Sequence, residues 1–337
     1  MKTLLFALIT SLLPLGAQPQ KLILDTDMGN DIDDAQALAM IHTLQSRGAV
    51  ELLAVTSTKD HPLSAAFIDA VNTFYGRPDI PIGVVRQGAT RDEGKYLAVA
   101  NRKDGDGRLI YPHDLASGAE APEAVALLRK TLAAQPDGSV SIAQVGFFTN
   151  LVRLIDSPGD ACSPLNGAEL VRRKVRQLVI MAGAFVPIGD DRHYREYNVV
   201  NDIPAAKALA EKWPGLVIWS GFEIGIAIRY PAASIREDYH YMDHHLIKEA
   251  YVAYCGDRGE NPTWDLTAVL HLTYPDRGYF SLSECGLVGV ADDGFTTFQA
   301  RADGRHRFLK INPEQAARIR EAFVQLCVTP PGSAAKP

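Results

Sequence analysis

The amino-acid pattern predicts an α/β protein built on an open, mostly parallel, doubly wound sheet with helices on both faces. Through the first two thirds of the chain, short apolar runs alternate with helical stretches, the rhythm of strand–helix–strand units. Five aspartates fall within the ten positions 25–34, where the first apolar run hands over to the first helix. The carboxyl ends of strands are where such sheets hold their ligands. With 337 residues, 47% of them hydrophobic, the chain can bury a sizeable core, and no repeat or low-complexity linker divides it, so a single domain over 21–330 is expected.

Residues 21–24 read as a buried strand and 36–44 as a helix. A second strand at 50–56, a crossover helix at 62–75 and a third strand at 80–85 complete the first half-sheet. The stretch 88–118, rich in Gly, Asp and Arg and without periodicity, is expected to be a long surface loop or flap, and loops of that length are often functional. An amphipathic helix at 120–134, a strand at 139–145 ending in Gly146 and a helix at 151–155 follow. A strongly apolar strand at 177–182 runs into Gly183 and a polar loop at 189–201. Then come a helix at 204–212, a strand at 215–220 and helices at 243–255 and 263–272. From 286 onward short strands turn at Asp292-Asp293-Gly294 and Asp303-Gly304 before a closing helix at 313–326. His42 is expected on ordinary helix surface, and His113, His193, His244 and His245 in solvent.

The net charge is -6 and the pI about 5.9. The notable basic run, Arg172, Arg173, Lys174 and Arg176, reads as a solvated face rather than a nucleic-acid footprint. Met1-Lys2, an apolar core at 4–15 and Gly16-Ala17 have the form of a cleaved signal peptide, residues 1–17, so the protein is expected to be exported, periplasmic or secreted. No later stretch reaches the roughly 20 apolar residues of a membrane span. Cys162, Cys255, Cys285 and Cys327 match no zinc spacing and are expected as unpaired core thiols.

Charge decides what the aspartate block is for. Two carboxylates about 4 Å apart repel by about 4 kcal/mol at a partly buried site, so several in one turn call for a cation, and oxygen donors call for a hard one. An EF-hand is excluded, because Asn30 and Gln36 stand where that loop needs Gly and Glu. Helix capping alone would use one carboxylate, not five. In a parallel sheet the carboxyl ends share an edge, so 25–34, the Gly146 turn, Glu196-Tyr197-Asn198 and Trp264-Asp265 can converge on one site. There Tyr197 and Trp264 are expected to pack rather than stack on a ligand.

Four blocks, DTDMGNDIDDAQAL, QVGFFTNL, VIMAGA with REYNVVNDIPAA, and WDLTAV, resemble the nucleoside hydrolases of the inosine-uridine type, in the family's order and over nearly the whole chain. The resemblance implies calcium-dependent hydrolysis of the N-glycosidic bond of a ribonucleoside. It implies calcium on Asp27, Asp34, Asp265 and the Val145 carbonyl, with Asp27 as the base that activates water. Asp33, Met181, Glu196, Asn198 and Asp265 would bind the nucleoside, and the protein would be a homo-oligomer, a dimer or tetramer. The chain departs from the family in four places. Two extra residues precede Asp33, making Asp31 an additional acid. Thr58-Lys59-Asp60-His61 lacks the ribose-contacting Asn that usually follows the second strand. Asp190 or Asp191 stands in place of another Asn, and Trp264 in place of a His that helps the base depart in some members. Two alternatives are a haloacid-dehalogenase-like magnesium phosphatase, with 287–294 as its later acidic loop, and an inert exported nucleoside or sugar binder.

Overall fold

A computed structural model of the chain describes residues 18–257 and 259–332, so the signal-peptide reading of 1–17 lies outside the described residues. The first half-sheet consists of β1 (Gln20–Thr26), α1 (Asp33–Ser46), β2 (Val50–Ser57), α2 (Pro62–Phe74) and β3 (Ile82–Val84). The second consists of α3 (Ala124–Ala133), β4 (Val140–Gln144), α4 (Thr149–Asp156), α5 (Gly167–Lys174), β5 (Val175–Met181), α6 (Tyr197–Asn201), α7 (Ile203–Lys212) and β6 (Val217–Ser220). Helices α8 (Phe222–Ile226), α9 (Ala232–Glu237), α10 (Leu246–Cys255) and α11 (Trp264–Thr273) come next. The chain then runs through β7 (Ser281–Leu282), β8 (Gly286–Val290), β9 (Thr296–Ala300), β10 (His306–Lys310) and α12 (Pro313–Cys327).

The strand order is β3-β2-β1-β4-β5-β6-β10-β8-β9, with β7 on β10. From β3 to β10 every pairing is parallel, and β7, β8 and β9 are antiparallel. This is the open, mostly parallel sheet expected. The order reverses between β1 and β4, where Asp25 pairs with Thr56 of β2 on one side and Gln144 of β4 on the other. Doubly wound sheets open a crevice at such a switch point.

Strand alternation sends Leu22, Leu24, Val179 and Met181 to one face, in a core with Leu38 of α1, Leu270 of α11 and Phe323 of α12. Ile23, Ile142, Leu178 and Ile180 face the other way, against Leu128 of α3, Leu151 of α4, Leu170 of α5 and Leu209 of α7. Helix α1 packs against α2, α11 and α12, and its residues from Asp33 to Leu44 are all buried.

Four expectations need correcting. His42 is buried rather than on a helix surface, because α1 has no free face; its Nε2 bonds to Asn72 Oδ1 (2.9 Å) and its ring stacks on Tyr75. His245 is likewise buried, among the rings of Phe74, Tyr239 and Tyr241. The 88–118 stretch is not a free flap. A 3-10 turn at Leu97–Asn101 sits in it, and Tyr96, Leu97 and Ala100 are buried, the first two against the aspartate turn. All four cysteines are free, but only Cys327 is buried and Cys162 is exposed. The basic run closes α5, a helix not anticipated, with Arg172 and Arg173 exposed beside its carbonyl end, as suits cations there. Among the described residues no helix is long and apolar enough to cross a membrane.

Candidate active site

After Thr26 the chain leaves the sheet, turns through 27–32 and enters α1. The turn needs glycine at position 29, where φ is +117° and an added Cβ would meet Leu97 Cδ1 at 2.7 Å. From the long loop, the Tyr96 hydroxyl accepts from Gly29 N (2.8 Å) and donates to the Asp31 carbonyl (2.7 Å), clamping the turn. Opposite, Gly146 lets the end of β4 approach: a Cβ there would lie 2.5 Å from Asp27 N.

Between these ends lies a cavity of about 260 Å3. Asp27, Asp33, Asp34, Val145, Met181, Glu196, Asn198 and Asp265 all line it, so the predicted site residues are brought together. Asn30, Asp31 and the rings of Tyr197, Phe222, Tyr254 and Trp264 line it too. Tyr197 and Trp264 thus border the cavity while packing on other rings, Tyr197 beside Phe147 and Trp264 beside Phe222. Asp25 is not among the lining groups; its Oδ1 accepts from Thr56 and Asn150, and burial pushes its carboxyl up to about 7.

The acids are not caps. Ile32 and Thr263 occupy the N-cap positions of α1 and α11 without side-chain capping bonds, and Asp33, Asp34 and Asp265 lie in the first turns. Asp33 Oδ2 accepts the backbone N–H of Asp265 (2.9 Å), joining α1 to α11. Asp34 Oδ1 accepts the Thr26 hydroxyl, and its Oδ2 is buried with no partner. Burial, then mutual repulsion, holds Asp33, Asp34 and Asp265 well above the usual carboxylate range. Asp27 is pushed up to about 6 by burial, opposed by the Asn30 hydrogen bond and the Lys59 charge. Glu196 does cap α6, accepting from Gly183, Asn198 and Val199 N–H, yet burial still raises it to about 7. Asn198 Nδ2 donates to the carbonyls of Met181 (3.2 Å) and Val145 (3.3 Å).

Among the described residues no three acidic, His or Cys side chains are gathered at metal-coordination spacing. Asp27 turns instead to Asn30, Asp34 to Thr26 and Asp33 to the Asp265 amide. The donor set still suits a hard cation. It consists of buried, mutually repelling carboxylates, one of them with an unpartnered oxygen, beside a backbone carbonyl.

The extra acid Asp31 accepts from Asn261 Nδ2 (2.7 Å) and Ile32 N (2.5 Å), and its charge helps to raise the Asp33 carboxyl. Asp190 and Asp191 are exposed and do not line the cavity, so neither replaces the missing Asn. His193 is exposed, paired with Asp293 and stacked on Phe295. The segment offered as a phosphatase loop lies across the sheet, where β8 pairs antiparallel with β9 and Asp292 pairs with Lys207. Sequence reasoning missed Asn30, Phe222, Tyr254 and Lys59. Only Asn30 carried a signal, by standing inside the aspartate block.

The family model described as inosine-uridine preferring nucleoside hydrolase matches residues 22–305. The chain is 28% identical over 222 residues to the pyrimidine-specific ribonucleoside hydrolase RihA of Shewanella sp. (strain MR-4), covering 64% of this chain and 62% of that one. It is 29% identical over 194 residues to uridine nucleosidase 1 of Arabidopsis thaliana, covering 56% and 52%. The matches thus span less than two thirds of these relatives. In fold it is similar to the purine-preferring ribonucleoside hydrolase from Gardnerella vaginalis, with a TM-score of 0.67 at 15% identity, covering 92% of this chain and 99% of that one.

Proposed function

The chain belongs to the inosine-uridine preferring nucleoside hydrolase family, and from that premise we propose that it hydrolyses the N-glycosidic bond of ribonucleosides to free base and ribose. The observation that carries this is the convergence of Asp27, Asp33, Asp34, Glu196, Asn198 and Asp265 on one cavity rimmed by aromatic rings. Carboxylates and an amide suit sugar hydroxyls, and the rings suit a base.

Asp27, the base in this reading, takes a proton from water as the water oxygen bonds C1′. The C1′–N bond breaks through an oxocarbenium-like state, and its electron pair leaves with the base. Asp33, Glu196, Asn198 and Asp265 hold the ribose hydroxyls, turning distant binding into orientation at C1′, and Met181 forms part of the wall. Asp27, Asp34, Asp265 and the Val145 carbonyl are the groups that would hold calcium. When bound, the ion lets these carboxylates be ionised together and makes a neighbouring water more acidic. The leader-like pattern of 1–17 supports export, and the family resemblance supports a dimer or tetramer.

The test is a ribonucleoside panel read out as reducing sugar, beginning with uridine and cytidine because relatives are named for such substrates. Metal analysis should find about one calcium per chain. No turnover by calcium-loaded protein would leave a binder instead of an enzyme.

A further inference from the structure

We propose that Asn30, held by the buried Lys59, is a positioning residue that fixes the carboxylate of Asp27; this rests on the reading of Asp27 as base and calcium ligand. Lys59 follows β2 and is 1% exposed. Its ammonium donates to Asn30 Oδ1, and Asn30 Nδ2 donates to Asp27 Oδ2 at 2.6 Å. An ammonium has donors and no acceptor, so it dictates which way the amide faces: oxygen to Lys59, NH2 to Asp27. The Asn30 backbone N–H also bonds the Asp27 carbonyl (3.2 Å), so both main chain and side chain tie the residue to Asp27. Burial lowers the pKa of Lys59, opposed by the charges of Asp27, Asp92 and Asp34.

The two ends of this relay lie where the chain departs from its family. Asn30 stands with Asp31 in the stretch carrying the two-residue excess, and Lys59 lies in the segment lacking the usual Asn. Together they form a support for Asp27. The competing explanation is structural: Asn30 would merely satisfy a buried lysine.

Calcium titration separates the two. Removing a cation beside the acids would, by charge alone, tighten calcium binding; losing the orientation of Asp27 weakens it. We expect Lys59→Met and Asn30→Ala each to weaken calcium binding and to lower kcat, by about 10–100-fold, with KM little changed. Lys59→Arg, which keeps a donor to Asn30, should recover most of both. A third variant, Asn30→Asp, still pairs with Lys59 but cannot donate to Asp27 and sets a carboxylate against it, so it should fold in the presence of calcium and still lose kcat. Wild-type kcat in Asn30→Asp, or unchanged or tighter calcium binding in both Lys59→Met and Asn30→Ala, overturns the proposal. If the wild-type protein binds calcium but turns over no nucleoside, the hydrolase reading fails while the titrations still decide the relay. If it binds no calcium and has no turnover, both fall together.

Discussion

Replacing Asp27 by asparagine keeps the shape of the side chain and removes its charge. Burial raises this carboxyl from the ordinary 3.8 to about 6. In calcium-free protein such a group opposes folding at pH 7, because the unfolded chain releases its proton more readily than the folded one. At about 1.4 kcal/mol per pH unit the cost is of order 1–3 kcal/mol. It is present in full above about pH 6 and is relieved as the pH falls toward 3.8. Asp27→Asn should therefore be more stable than wild type in excess chelator at pH 7, by about 1–3 kcal/mol, and the gap should close as the pH is lowered toward 4. The same substitution should reduce turnover with calcium present by about 10²–10⁴, or roughly 3–5 kcal/mol of barrier. Denaturant unfolding in chelator and reducing-sugar assays on the same preparations give both readings. Turnover close to wild type would refute Asp27 as the base. A variant less stable than wild type in chelator would refute the charge argument.

Tyr96→Phe leaves the Gly29 N–H and the Asp31 carbonyl without their shared hydroxyl partner, so stability should fall by about 1–3 kcal/mol; an unchanged unfolding midpoint would deny that the long loop clamps the turn. His42 is held neutral by burial, with its pKa lowered to about 3 from 6.5. The unfolded state binds the extra proton, so this contribution is complete above 6.5 and is lost as the pH falls toward 3, about 2 kcal/mol by pH 5. His42→Gln lacks that slope, so its stability deficit against wild type should shrink by about that amount between pH 7.5 and 5; a constant deficit would contradict it. Calcium at a hundred times its Kd should raise wild-type stability by about 2.7 kcal/mol, and a midpoint indifferent to calcium would count against the ion.

Much of this was legible in residue pattern alone, because strand-to-helix alternation and the aspartate block are local signals. The β1–acid–α1 junction, the sheet class and all the proposed cavity residues came from that pattern and from the family blocks. What escaped was set by packing between distant segments. Nothing around Tyr96 is periodic, and its role exists only because its hydroxyl reaches Gly29 and Asp31 across the turn. His42 looked like surface because a lone polar residue on a helix usually is, whereas α1 is enclosed by α2, α11 and α12. Short helices such as α8 and α9 have too few turns for a hydrophobic period to register. Lys59 carries no pattern of its own, and only packing across the site buries it against Asn30.

The most direct test of the central claim is turnover itself. Calcium-loaded protein, offered uridine, cytidine, adenosine, inosine and guanosine, should release reducing sugar and free base in equal amounts from at least one, and Asp27→Asn prepared the same way should not. Calcium-loaded wild type that releases no sugar from any of them would contradict the account.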